Sequence, residues 1–119
     1  MIPDEGFAKQ ERILKTKDFR KVYKDGRSDK AGFVILRSLP NDTGTNRVGF
    51  SISAKSIKRA FRRNRIKRLF REAYRRNKKI LKKGFYIVFV VRRDPKENFS
   101  YFEAEQVFLD LSRRAGILL

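Results

Sequence analysis

Seven consecutive apolar residues, Phe85 to Val91, interrupt a chain in which 37% of the residues are charged. A strand with one wet face alternates apolar and polar side chains, so a run that is apolar on both alternations has to be covered on both faces or lie mid-sheet. The chain must therefore build a sheet around this segment. Seven residues are too few to cross a bilayer. The full 119 residues hold material for one core, and residues 1–119 are expected to form a single domain.

Against this apolar run stands a concentration of charge. The chain carries 31 Lys and Arg against 13 Asp and Glu, a formal net charge of +18. Fifteen of those basic residues, with Glu72 as the one acidic residue, fall between residues 55 and 83. A charge run is usually a solvated face or a disordered tail. This one is interleaved with Ile66, Leu69, Phe70, Ala73, Tyr74, Ile80 and Leu81 at helical spacing, which predicts one long basic helix over 56–81. Eleven Phe and four Tyr supply buried area that a disordered basic segment lacks. A charge of this size repels itself unless a polyanion neutralises it, so a polyanionic partner is expected. Residues 1–6 lack an apolar signal core, and the expected location is cytoplasmic, away from membranes.

The rest of the chain reads as α+β. Thr16 can cap a short helix in which Phe19, Val22 and Tyr23 share a face, closed by Gly26. Residues 33–39 read as a strand. After the turn formers of 40–46, Val48, Phe50 and Ile52 alternate with Gly49, Ser51 and Ser53 as a second strand. These two are expected to form a hairpin-like pair with one apolar face, the serines on the polar side. Ser100 and Glu103 have capping-box spacing ahead of a last helix carrying Ala104, Val107, Phe108, Leu111 and Ala115. The order is α-β-β-α-β-α, with an additional strand near 27–32, and the architecture is a two-layer sandwich of a small mixed sheet with helices.

One detail of the long helix bears on function. At 100° per residue, Leu69, Phe70, Ala73 and Ile80 fall within about 60° of Ile66, a core stripe. Extended toward the N-terminus, the same azimuth holds Arg59, Arg62 and Arg63, while Ile57 and Phe61 lie near the back of the wheel. Arginine stems can cover apolar surface with their heads in water; a ligand explains the pattern better. Catalysis by the protein is not expected. There is no Cys and no His, which removes thiol nucleophiles, thiolate zinc sites and the commonest general base. The carboxylates are scattered: Glu72 sits at ion-pair spacing from Arg68, Arg75 and Arg76, and Glu103 is accounted for by capping.

The segment Phe61-Arg62-Arg63-Asn64-Arg65-Ile66-Lys67-Arg68-Leu69-Phe70-Arg71-Glu72-Ala73 resembles the signature helix of the bacterial ribonuclease P protein component. Asp18-Phe19, Val22-Tyr23, Gly26-Arg27-Ser28, Arg47-Val48-Gly49-Phe50-Ser51-Ile52-Ser53 and Lys55 follow the family's order, and the resemblance spans residues 12–115. It implies the accessory protein subunit of a ribonucleoprotein endoribonuclease, which binds the catalytic RNA and the 5′ leader of precursor tRNA and assists 5′ maturation. The RNA would carry the chemistry and its magnesium; the protein would bind no cofactor, and neither DNA nor membrane. The resemblance implies that Arg59, Arg62, Arg63, Asn64, Arg65, Lys67, Arg68 and Arg71 face the catalytic RNA. It implies that Phe19, Tyr23, Phe33, Ser51 and Lys55 belong to a leader cleft between the sheet and the first helix. It also implies a left-handed βαβ crossover in place of the usual right-handed one.

The residue types suit those roles. Guanidinium forks match phosphate oxygens, Asn64 can both donate and accept, and aromatic rings stack on unpaired bases. Core packing is the competing role for Phe19, Tyr23 and Phe33. Two departures from the family pattern stand out: the stretch 53–60 has one residue more than many members, with Lys58 where Gly is usual, and Leu36 stands near the place where an aromatic is often offered to the cleft. A general RNA-binding or ribosomal-type protein is the alternative reading. It would share the charge and the mixed fold without needing an Arg-Asn-Arg helix beside a cleft for single-stranded RNA.

Overall fold

In the computed structural model, which describes residues 11–12 and 15–119, the apolar run is an interior strand. The elements are α1 (Thr16–Asp25), β1 (Arg27–Ala31), β2 (Val34–Pro40), β3 (Arg47–Ile52), α2 (Ala60–Asn77), a 3-10 turn at Lys78–Ile80, β4 (Phe85–Val91) and α3 (Tyr101–Arg114). The strands make one mixed sheet in the order β1-β2-β4-β3. β4 runs antiparallel to β2 and parallel to β3, with α2 as the crossover between the parallel pair. The class is α+β, as expected.

Both alternations of β4 find cover. Ile87, Phe89 and Val91 face the main core beneath α2 and α3, while Tyr86, Val88 and Val90 pack with Val22, Phe19 and Leu39 on the α1 side. The main core is organised around Phe89, whose ring lies 5.1 Å from Phe108 and 6.0 Å from each of Phe50 and Phe70, centroid to centroid. Phe70 continues the contact to Phe99 at 6.1 Å, and Phe33 meets Phe99 edge-on at 5.4 Å. Offset and edge-on geometries of this kind add to the apolar area they bury.

Two expectations need correction. β2 and β3 do not form a hairpin; β4 lies between them, and the hairpin is β1–β2, turning at Gly32 with its φ of 59°. The turn formers of 40–46 wrap the start of β4 instead. Asn41 donates its N–H to Gly84 O at 2.9 Å, and the Asn46 amide donates to Lys82 O at 2.8 Å while accepting Phe85 N–H at 3.0 Å. Gly84 is required at this crossing, since its φ is 92° and a Cβ would lie 2.7 Å from Thr43 O.

The second correction concerns the long helix, which begins at Ala60 and ends at Asn77. Residues before it form a turn in which Ile57 N–H reaches Ser53 O at 2.9 Å and Ser53 Oγ accepts the N–H groups of Lys55 and Ser56. This turn folds Ile57 into the main core at 1% exposure, so its helical azimuth does not apply. At the other end the chain tightens into the 3-10 turn and leaves the helical register, which puts Ile80 outside the core at 45% exposure. Gly26 ends α1 as expected, but through close approach: a Cβ there would lie 2.4 Å from Val22 O. Ser100 and Glu103 form the expected capping box of α3.

Candidate nucleic-acid interface

The two sides of α2 have different tasks. Its inner side buries Arg62, Ile66, Phe70, Ala73 and Tyr74. Arg62 was expected to face RNA, and the structure places it elsewhere. Its side chain is only 11% exposed, with Nη2 donating to Asp94 Oδ1 at 2.6 Å and the guanidinium also reaching the carbonyls of Pro95, Lys96 and Glu97 at 3.3–3.4 Å. A guanidinium withdrawn from water has to be paired and hydrogen-bonded, and the 94–97 loop does both. Arg63 is half committed to the fold as well: Nη1 donates to Ile57 O at 2.8 Å and Lys58 O at 2.9 Å, tying off the turn before the helix. Of the three arginines that continue the core azimuth, Arg59 alone stays outside, its guanidinium 6.0 Å from the Phe61 ring centroid.

The outer side gathers the remaining candidates. Asn64, Lys67, Arg68 and Arg71 stand in the i, i+3, i+4, i+7 relation and make one stripe opposite Ile66, Phe70 and Ala73. Asn64 and Arg68 are exposed, Lys67 and Arg71 half-buried. Burial and the neighbouring Arg12 push the Arg71 pKa down. Arg65 flanks the stripe and donates to Phe99 O at 3.1 Å. The side chains of Arg59, Lys67 and Arg68 make no hydrogen bond or ion pair with the described residues, so their charged heads are available to an outside anion. Glu72 pairs with two of its three expected partners: Arg75 at 2.6 Å, with Arg76 at 3.0 Å adding to it, brings its pKa down to about 2, while Arg68 stays apart.

The other sheet face belongs to α1, which packs on β2 and β4. Phe19 is half-buried against Val22, Val88 and Val90. Tyr23 is 39% exposed, with the Arg37 guanidinium 5.0 Å from its ring centroid and Arg37 Nη1 donating to Tyr23 O at 3.2 Å. Ser51 pairs with Val90 and shares its side of the sheet, so Phe19, Tyr23 and Ser51 lie on one face. Phe33 does not join them, because it packs on Phe99 with the main core. Leu36 is likewise fully buried in that core. A shift of one residue along a strand exchanges faces, and the β2 side chains on the α1 side are Ile35, Arg37 and Leu39.

The sequence reading also missed two cations beyond β4. Parallel pairing sets Ile52 opposite Val91, so the exits of both strands lie at one edge of the sheet. Lys55 follows β3 there, and Arg92 and Arg93 follow β4, all exposed. The signal was available in the β-helix-β order, since parallel neighbours end together. A separate cavity of about 390 Å³ lies at the far end of α2, lined by Glu11, Thr45, Asn46, Tyr74, Lys78 and Lys83 among others. Glu11 accepts from the Tyr74 hydroxyl at 2.6 Å and from Lys78 Nζ at 3.0 Å, and burial together with this carboxylate pushes the Tyr74 pKa up. Among the described residues no three carboxylates are grouped to hold a metal ion, and no helix is long and apolar enough to cross a membrane.

Comparison with known proteins identifies the family and the fold. The ribonuclease P family model matches residues 7–116. The ribonuclease P protein component of Clostridium botulinum (strain Loch Maree / Type A3) is 36% identical over 110 residues, covering 92% of this chain and 97% of that protein. That of Clostridioides difficile (strain 630) is 40% identical over 112 residues, covering 93% and 96%. Among solved structures, the RNase P protein of Thermotoga maritima superposes with a TM-score of 0.78 at 32% identity, covering 87% of this chain and 96% of that one. The Staphylococcus aureus RNase P protein at 2.0 Å gives 0.80 at 25% identity, covering 92% and 98%. With a family model matched over nearly its whole described length and the same fold in solved members, this chain belongs to the ribonuclease P protein component family.

Proposed function

We propose that the chain acts as the RNA-binding subunit of a ribonuclease P, holding the catalytic RNA on the outer side of α2 and the 5′ leader of precursor tRNA on the α1 side of the sheet. The observation that carries this reading is the set of uncommitted cationic heads, Arg59, Lys67 and Arg68, around Asn64. Forked and point donors of this kind suit a phosphate backbone, and Asn64 suits a base edge or a 2′-hydroxyl. The partly exposed Tyr23, beside Arg37, suits a single strand that needs a stacking surface and a cation together. The RNA performs the hydrolysis in this reading, magnesium accompanies the RNA, and the complex works in the cytoplasm.

The test is multiple-turnover processing of a precursor tRNA at low magnesium, with a bacterial ribonuclease P RNA alone and with the protein added. Added protein should raise the rate and the affinity for leader-bearing substrate. No gain on either would favour a general RNA-binding role and end the proposal. Tyr23→Ala should weaken binding of a long-leader precursor by on the order of 1 kcal/mol and leave mature tRNA unaffected. Equal loss on both substrates would make the ring structural.

A further inference from the structure

An aromatic ring stands in the middle of the basic surface with no packing role. Phe61 lies in the first turn of α2 and is 62% exposed. Its neighbours three, four and seven residues on are Asn64, Arg65 and Arg68, so no apolar side chain on the helix surface shelters it. The Arg59 guanidinium approaches the ring at 6.0 Å from its centroid. The fold does not need this ring: Ile57 and Ile66, on either side of it in sequence, are the residues buried in the core.

We propose that Phe61 is a stacking platform for an unpaired base of the RNA that α2 engages, with Arg59 and Arg68 holding the flanking phosphates. The proposal rests on the reading of α2 as an RNA-binding face and adds a contact that is not electrostatic. Single-stranded RNA is held by this combination of flat apolar rings and a cationic surround, whereas a fully paired helix offers no free base. Phe102 provides the contrast. It is equally exposed, at 66%, but Glu105 and Gln106 occupy the corresponding positions on α3, and a polyanion is not drawn to that surface.

The experiment compares Phe61→Ala, Phe61→Leu and Phe61→Trp with the wild type, using a transcribed bacterial ribonuclease P RNA and, as a control, a fully paired RNA duplex. Thermal unfolding should be nearly unchanged in all three variants, because the ring is exposed. The Ala and Leu variants should bind the ribonuclease P RNA roughly tenfold more weakly, with the salt dependence of binding unaltered, since a ring releases no counterions. The Trp variant should keep its affinity and show quenched indole fluorescence in the complex. Duplex binding should be the same for every variant. Leu binding as tightly as Phe, or an unquenched indole in a complex of wild-type affinity, overturns the stacking contact while leaving the RNA-binding reading intact. Wild-type protein failing to bind the RNA at all overturns both.

Discussion

Replacing Arg59, Lys67 and Arg68 together by alanine is expected to lower affinity for the catalytic RNA by on the order of a thousandfold at 50 mM salt. The log-log salt slope should become shallower by about 2 to 3, because each phosphate contact contributes about 0.7 to 0.9. These three heads are exposed or half-exposed and uncommitted within the described residues, so their removal should leave the unfolding midpoint nearly where it was. Arg62→Ala should behave in the opposite way. It removes the guanidinium that holds Asp94 and three loop carbonyls, so stability should fall while the salt slope stays put. Fluorescence anisotropy over a salt series, paired with urea unfolding of each variant, separates the two effects. A triple variant with an undiminished slope would remove α2 from the interface.

Phe89→Ala is expected to produce the largest loss of stability in the molecule. The side chain is fully buried and its ring touches those of Phe50, Phe70 and Phe108, so truncation leaves a cavity that three neighbours cannot all close. Large-to-small changes of this kind cost about 3–5 kcal/mol, a substantial part of the roughly 5–15 kcal/mol that holds a domain of this size together. The thermal midpoint should drop by roughly 10–20 °C, as followed by circular dichroism. A loss below about 1 kcal/mol would show that the ring cluster is not the centre of the core.

Much of this architecture is legible in the residues. The two-sided apolarity of 85–91 fixed an interior strand, Ser100 with Glu103 marked the start of α3, and the 3.6-residue period located α2. Strand partners were not legible. Local pattern says which residues alternate, but β2 and β3 are separated by a strand that arrives more than thirty residues after β3, and nothing local encodes that insertion. The candidate interface was legible as charge and only partly as geometry. Arg62 and Arg68 are the same residue type six positions apart, yet one is sealed against Asp94 and the other faces outward. The difference lies in a loop 32 residues away. Phe33 falls on the wrong side for the cleft because strand parity cannot be set without the register to β4, which puts Ile35, Arg37 and Leu39 on the α1 side.

The two-sided cover of β4 has a mechanical consequence. Because α1 and α2 lie against opposite surfaces of one sheet, the two faces proposed to meet RNA are kept apart by the sheet itself. In the reading proposed above, RNA that engages both faces would have its two contacts spaced by the sheet between them.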